Sequence, residues 1–311
     1  MVHYTPVMHG TATTAVLALC LQAMALAASA QQPAAGPRAE RPVLPEGTAV
    51  HRDLAYVTNG HERQKLDLYL PRDGKALPLV VLIHGGAFRM GSKEGENPVP
   101  LLTQGYAVAA INYRLSQHAL WPAQIEDCKA AVRWLRAHAT AYGLDSDRFA
   151  AFGHSAGGHL AAMLGVSGSA RQFDVGEHLT FSSRVQAVAD FFGPTDFLQM
   201  DAHRLPGGMA HDGADSPESM LVGGAIQDNK ERVASANPLT YVGGDLPPFL
   251  IVHGDADPAV PHHQSELLAE ALTRAGARVT FYTVKGGGHG SFTDPKVEDL
   301  LKGFLARYLE P

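Results

Sequence analysis

Residues 149–164 read Phe149-Ala150-Ala151-Phe152-Gly153-His154-Ser155-Ala156-Gly157-Gly158-His159-Leu160-Ala161-Ala162-Met163-Leu164. An apolar, strand-like run leads into Gly-x-Ser-x-Gly, and an apolar, helix-like run follows. Glycines on both sides of Ser155 permit a sharp strand-to-helix turn in which bulkier side chains would clash. Such a turn lifts the serine oxygen above the sheet edge and leaves the amide of Ala156 free at the start of a helix. The pentapeptide alone recurs by chance; with its strand and helix it has the context of a nucleophile elbow.

A serine nucleophile needs a base to take its proton and an acid to orient that base. Downstream, the run Phe249-Leu250-Ile251-Val252 ends in His253-Gly254-Asp255-Ala256-Asp257-Pro258. A carboxylate just past a parallel strand lies at the same sheet edge as Ser155. Asp257, deeper in the turn before Pro258, is favoured as the acid over Asp255, which could instead bond turn amides. The segment 280–284 leads into Lys285-Gly286-Gly287-Gly288-His289-Gly290, an adaptable loop from which His289 can reach back as the base. After the run 79–83, His84-Gly85-Gly86-Ala87-Phe88 has the form of an oxyanion loop. The expected donors are the amides of Gly86, Ala87 and Ala156, and His84 reads as a loop-shaping side chain. Phe88, Trp121 and His154 are candidates for the substrate pocket.

Strand-like segments fall at 50–57, 65–70, 79–83, 107–112, 148–152, 185–192, 249–253 and 279–284. The third is apolar throughout, as for a strand covered on both faces. The first two alternate and suit antiparallel strands at one edge. A helix is expected from Pro122, carrying Ile125, Cys128, Val132 and Leu135 on one stripe, with Gly143 near its end. Another is expected from the Asp294 cap and Pro295. This alternation predicts an α/β fold with a mostly parallel eight-stranded sheet and helices on both faces. Residues 197–242 break the rhythm and are expected to form a small cap or long loop.

The apolar stretch 12–27 followed by Ala28-Ser29-Ala30 reads as a signal peptide over 1–30 cleaved after Ala30. It implies a periplasmic or secreted protein without stable membrane insertion. A Pro/Ala-rich linker, 31–47, then precedes a catalytic domain at 48–311. Of two cysteines, Cys20 would leave with the signal, so Cys128 has no intrachain partner and reads as a buried structural thiol. The net charge of −6 and the lack of a basic run argue against nucleic acid as a partner. His253, His262 and His263 lack regular metal-ligand spacing, so neither a metal nor another cofactor is expected.

The segments HGGAF at 84–88, GHSAGGH at 153–159, HGDADPAVP at 253–261 and GGGHG at 286–290 resemble the α/β-hydrolase superfamily. The likeness is to HGG-loop esterases related to hormone-sensitive lipase and to bacterial feruloyl and acetyl-xylan esterases. Tyr113-Arg114-Leu115 and the segment 122–128 match as well. The resemblance implies the α/β-hydrolase fold and a cofactor-free carboxylic ester hydrolase with Ser155, Asp257 and His289 as its triad. Its substrates would be small-molecule or oligosaccharide esters with short-chain or aromatic acyl groups. Ala87 stands where lipase-like relatives carry a third glycine, and its methyl would narrow the pocket against tertiary alcohol esters. An amide-bond hydrolase is the alternative on the same residues, and a non-catalytic binding protein a further one.

Overall fold

A computed structural model describes residues 1–3, 42–72 and 74–310. The chain divides into units Met1–Glu40 and Arg41–Pro311, and the second carries every element below. The expected signal segment beyond residue 3, and the linker as far as residue 41, lie outside the described residues.

The strands are β1 (Ala49–Ala55), β2 (Lys65–Leu70), β3 (Leu77–Ile83), β4 (Ala107–Ile111), β5 (Leu144–His154), β6 (Ala187–Phe191), β7 (Phe249–Gly254) and β8 (Val279–Val284). They form one sheet in the order β1-β2-β4-β3-β5-β6-β7-β8. The β1–β2 and β2–β4 pairs are antiparallel and the remaining pairs parallel. The helices described are α1 (Val99–Leu102), α2 (Ala123–Ala137), α3 (Ala139–Tyr142), α4 (Ala156–Val166), α5 (Met200–His203), α6 (Pro217–Val222), α7 (Lys230–Ala236), α8 (His263–Arg274) and α9 (Pro295–Leu309).

Strand alternation divides the core between the two faces of the sheet. Leu79, Val81 and Ile83 of β3 join Ile125, Val132, Leu160 and Leu268 from α2, α4 and α8. Val80 and Leu82 point the other way, to Leu101, Val297 and Leu305 from α1 and α9. All seven residues of β3 are buried, and each large aliphatic side chain so covered contributes roughly 1.5–3 kcal/mol. The continuous apolar run at 79–83 is the sequence trace of this two-sided burial.

Strand β5 begins at Leu144, four residues before the expected start. Its polar opening Asp145-Ser146-Asp147-Arg148 hides it, while Leu144 still pairs with Leu77 across a register shift. Strand β6 is shorter than 185–192 and ends at Phe191, because Phe192 already turns with φ +46°. The helix expected from Pro122 stops at Ala137, and α3 ends on Gly143 in the left-handed conformation. The Asp294 side chain caps α9 by accepting from the Lys296 amide. Cys128 is fully buried, which pushes its thiol pKa up.

Candidate active site

The elbow is built by crowding. Ser155 has φ +55° and ψ −122°, strained for a residue with a side chain, and its amide donates to the Phe191 carbonyl at 2.9 Å. A Cβ on Gly153 would lie 2.2 Å from the Gly157 oxygen, and one on Gly157 would lie 2.0 Å from the Ile83 oxygen. Backbone cannot yield as a side-chain tip can, so the glycines let α4 pack directly against the ends of β3 and β5.

Parallel strands deliver three side chains to one sheet edge, as the spacing predicts. Ser155 Oγ lies 2.9 Å from His289 Nε2, and His289 Nδ1 lies 2.7 Å from Asp257 Oδ2. Asp257 is an acceptor at Oδ2, so the ring carries its hydrogen on Nδ1 and accepts from the serine hydroxyl at Nε2. Phe192 packs edge-on against His289 at 4.8 Å between ring centroids. Asp255 takes no part in this chain; its Oδ1 accepts from the Gly286 amide, holding the loop that carries His289.

Asp257 is 1% exposed. Burial raises the cost of its charge. Hydrogen bonds from His253 and His289, the electrostatic attraction of His289 and the Val260 amide outweigh that cost and hold the carboxyl well below the usual range. Oδ1 accepts from the amides of Ala259 and Val260 at 2.7 and 2.9 Å. His253 is the component that spacing alone does not reveal. Its Nε2 lies 3.1 Å from Asp257 Oδ2 and 3.0 Å from the Val260 oxygen, and its Nδ1 lies 2.7 Å from Ser265 Oγ. The histidine cluster at 253–263 is thus partly an anchor for Asp257. Among the described residues no group of three His, Cys, Asp or Glu side chains is placed to hold a metal.

The loop after β3 turns through Gly86 at φ +113°, Ala87 at +54° and Phe88 at +59°. A Cβ at Gly86 would meet the Met90 oxygen at 2.3 Å. Among the described residues no acceptor takes the amide hydrogens of Gly86, Ala87 or Ala156, a free set of donors beside Ser155. His84 shapes this loop: Nδ1 donates to the Gly85 oxygen at 2.7 Å, and Nε2 accepts from Arg63 at 3.1 Å. Burial holds its pKa down at about 4, in keeping with that neutral tautomer. Tyr113 stacks on the His84 ring at 4.3 Å and donates to the His84 carbonyl. Next to it, Arg114 grips Asp127 of α2 through Nε and Nη2.

A cavity of about 420 Å³ opens over Ser155 and His289, with walls that include Phe88, Met90, Phe192, Met209, Pro217 and Val260. Met209, His211, Pro217 and Glu218 come from the 197–242 segment, which folds into α5, α6, α7 and intervening 3-10 turns. Of the three pocket candidates, Phe88 lines this cavity, whereas Trp121 and His154 do not. Trp121 is buried between His159 and Phe173 in the core, its amide donating to the Leu221 carbonyl. A bulky aromatic ahead of a helix serves either place, and only packing distinguishes them. His154 is turned away from the serine by strand alternation. It lines a separate cavity of about 680 Å³ with Glu96, Phe152 and Phe191.

A mostly parallel eight-stranded sheet, with a serine on the tight turn between β5 and α4, is an α/β-hydrolase fold. The chain belongs to the BD-FAE family, whose model matches residues 66–272. It is 31% identical to the esterase LipQ of Mycobacterium tuberculosis, over 77% of this chain and 56% of that protein. A truncated carbohydrate esterase from gut microbiota is similar in structure, with 33% identity and a TM-score of 0.77 over 86% of this chain and 99% of that one. Propionate-bound esterase Est2 of Thermogutta terrifontis shares 27% identity, with a TM-score of 0.66 over 86% of this chain and 98% of its own. The chain spans little more than half the length of the curated relatives it matches.

Proposed function

We propose that this chain is an exported serine carboxylic ester hydrolase acting on short-chain or aromatic esters, including acetyl or feruloyl esters of carbohydrates. The observation that carries the reading is the Asp257–His289–Ser155 hydrogen-bonded chain, which ends at a cavity with three unclaimed amides. His289 takes the Ser155 proton as Oγ attacks the ester carbonyl. The oxyanion forms against the amides of Gly86, Ala87 and Ala156, where losing one donor costs about 2.7–4 kcal/mol. The proton then passes from His289 to the leaving alkoxide, and an acyl group remains on Ser155. Water, deprotonated by the same imidazole, releases the carboxylic acid and restores the serine.

Short acyl groups are supported by the cavity volume, near the lower end for small-molecule sites, and by propionate in the Thermogutta relative. The carbohydrate alcohol is supported by the gut-microbiota relative, and export by the apolar stretch at 12–27 before Ala28-Ser29-Ala30. The test is hydrolysis of acetyl, butyryl, octanoyl, feruloyl and anilide substrates by the wild type and Ser155→Ala. Turnover of the short or aromatic esters, abolished in a folded Ser155→Ala protein, is the expected result. Unchanged turnover in that variant, or anilide cleavage that outruns every ester, overturns the reading.

A further inference from the structure

Two buried side chains from the 197–242 segment form a pair that the proton chain does not use. His211 and Glu218 are 1% and 4% exposed, and both border the Ser155 cavity. His211 Nδ1 lies 2.9 Å from Glu218 Oε2, and Nε2 lies 3.0 Å from the carbonyl oxygen of Ala259. Two residues earlier, the Met209 amide donates to the Pro258 carbonyl at 2.7 Å. The inserted segment therefore grips the loop after β7 at two successive carbonyls. The amide of Ala259 in turn donates to Asp257 Oδ1. One residue thus joins the grip to the acid.

The hydrogen count at His211 is informative. Both ring nitrogens face oxygens, a carboxylate and a carbonyl, whereas a neutral imidazole carries one N–H. His253 has no such difficulty, because the Ser265 hydroxyl can donate to its second nitrogen. His211 can donate in both directions as an imidazolium whose charge Glu218 balances.

We propose that His211, as an imidazolium paired with Glu218, is a positioning residue that holds the Ala259 carbonyl and so fixes the loop presenting Asp257 to His289. The inserted segment then does more than wall the cavity: it sets the geometry of the acid. The inference rests on the serine-hydrolase reading above.

The groups facing His211 bear this out. Glu218 comes from α6. Asp201 of α5 accepts the His211 and Asp212 amides at 2.8 and 3.0 Å and lies 3.7 Å from Arg204. The acid loop contributes the uncharged Ala259 carbonyl, with Asp257 behind it. Burial disfavours the ring's charge, but the hydrogen bond and charge of Glu218, the Ala259 carbonyl and the Asp201 charge outweigh it and raise the pKa above the ordinary value. As pH rises through that raised pKa the ring keeps one N–H, one bond opens, and the acid loop loosens. The consequence is a basic limb in kcat.

The test measures kcat and KM for p-nitrophenyl acetate between about pH 5 and about pH 10 in the wild type, Glu218→Gln and His211→Gln. In a Ser155→Ala background, NMR titration of the histidine ring protons follows His211 itself, identified by the resonance lost in His211→Gln. The expected result is a ring titrating above the usual ~6.5. Glu218→Gln should lower that pKa by about one unit or more and move the basic limb of kcat down equally. His211→Gln should cut kcat about tenfold in a protein with native circular dichroism. Should His211→Gln misfold, Glu218→Gln carries the test alone, its own shifted ring signal marking His211. A ring neutral across the range, or a basic limb unmoved in Glu218→Gln, overturns the proposal. A wild type inert toward all esters overturns the serine-hydrolase reading, and the coupling to catalysis with it.

Discussion

His253 and His289 donate to the same oxygen of Asp257, at 3.1 and 2.7 Å. The other oxygen takes two backbone amides, so the buried carboxylate receives four donors. Charge-assisted hydrogen bonds of this kind are about twice as strong as neutral ones, which is how a nearly inaccessible carboxyl stays ionised. His253 enters the site as a buttress, holding the same oxygen of Asp257 that His289 contacts.

His253→Phe should keep the ring volume and remove that buttress. We expect kcat to fall about tenfold, about 1.4 kcal/mol of barrier, with KM nearly unchanged because His253 does not line the cavity. Steady-state kinetics on a short acyl ester check this, and an unaltered kcat in a folded variant counts against the buttress role.

Asp257→Asn and Asp255→Asn separate the two carboxylates of the turn. Asp257→Asn should cost about four orders of magnitude in kcat, the scale of losing the tautomer-fixing acid in a serine triad. Asp255→Asn should cost no more than a few-fold, since the amide keeps an oxygen for the Gly286 N–H. Side-by-side assays decide it, and the reverse order moves the acid role to Asp255.

Gly157→Ala and Gly303→Ala should move stability in opposite directions. The first drives a methyl to 2.0 Å from the Ile83 carbonyl and should destabilise by several kcal/mol or block folding. The second adds a methyl in open space inside α9 and should stabilise by about 1 kcal/mol from helix propensity. Thermal melts of both variants test the pair.

Asp190 predicts a pH-dependent stability. Burial raises its pKa to about 7, partly offset by the Gly193 amide on Oδ1, while Oδ2 has no hydrogen-bond partner among the described residues. Unfolded chains ionise this group near ~3.9, so between about pH 4 and about pH 7 the native state binds more protons. Stability from this group is therefore full below about pH 4, lost as pH rises to about 7, and flat above. Asp190→Asn escapes that loss, and its melting advantage over the wild type should widen across that window. A constant difference from acid to neutral pH contradicts the assignment.

The parts of the site that lie next to their own turn signals were legible in sequence. The Gly-flanked Ser155, Asp257 at a strand end, His289 after three glycines and the Gly85-Gly86 loop all carry local chemistry that a strand-to-loop junction demands. Strand β5 was legible from Arg148 onward; Leu144 pairs with Leu77 across a register shift, and the polar residues 145–147 in between carry no strand signal. Trp121 and His154 show the same limit at the level of side chains. Either residue type suits a pocket; Trp121 is held in the core by His159, remote in the chain, and His154 follows the alternation of β5 to a face that the sequence pattern does not name.

The amino-acid sequence by itself determined the alternation of strands and helices, the tight turn at Ser155, and the placing of Asp257 and His289 just past strand ends. Each of these rests on periodicity, turn chemistry or glycine sterics acting over a few residues. Tertiary structure alone decided which side chains surround Asp257, which face of β5 carries His154, and how His211 and Glu218 reach the loop after β7. Several of those relations, His289 to Asp257 and His211 to Ala259 among them, join residues tens of positions apart. Their energies come from burial and from counting hydrogen-bond donors against acceptors, and neither exists until the sheet has brought the segments together.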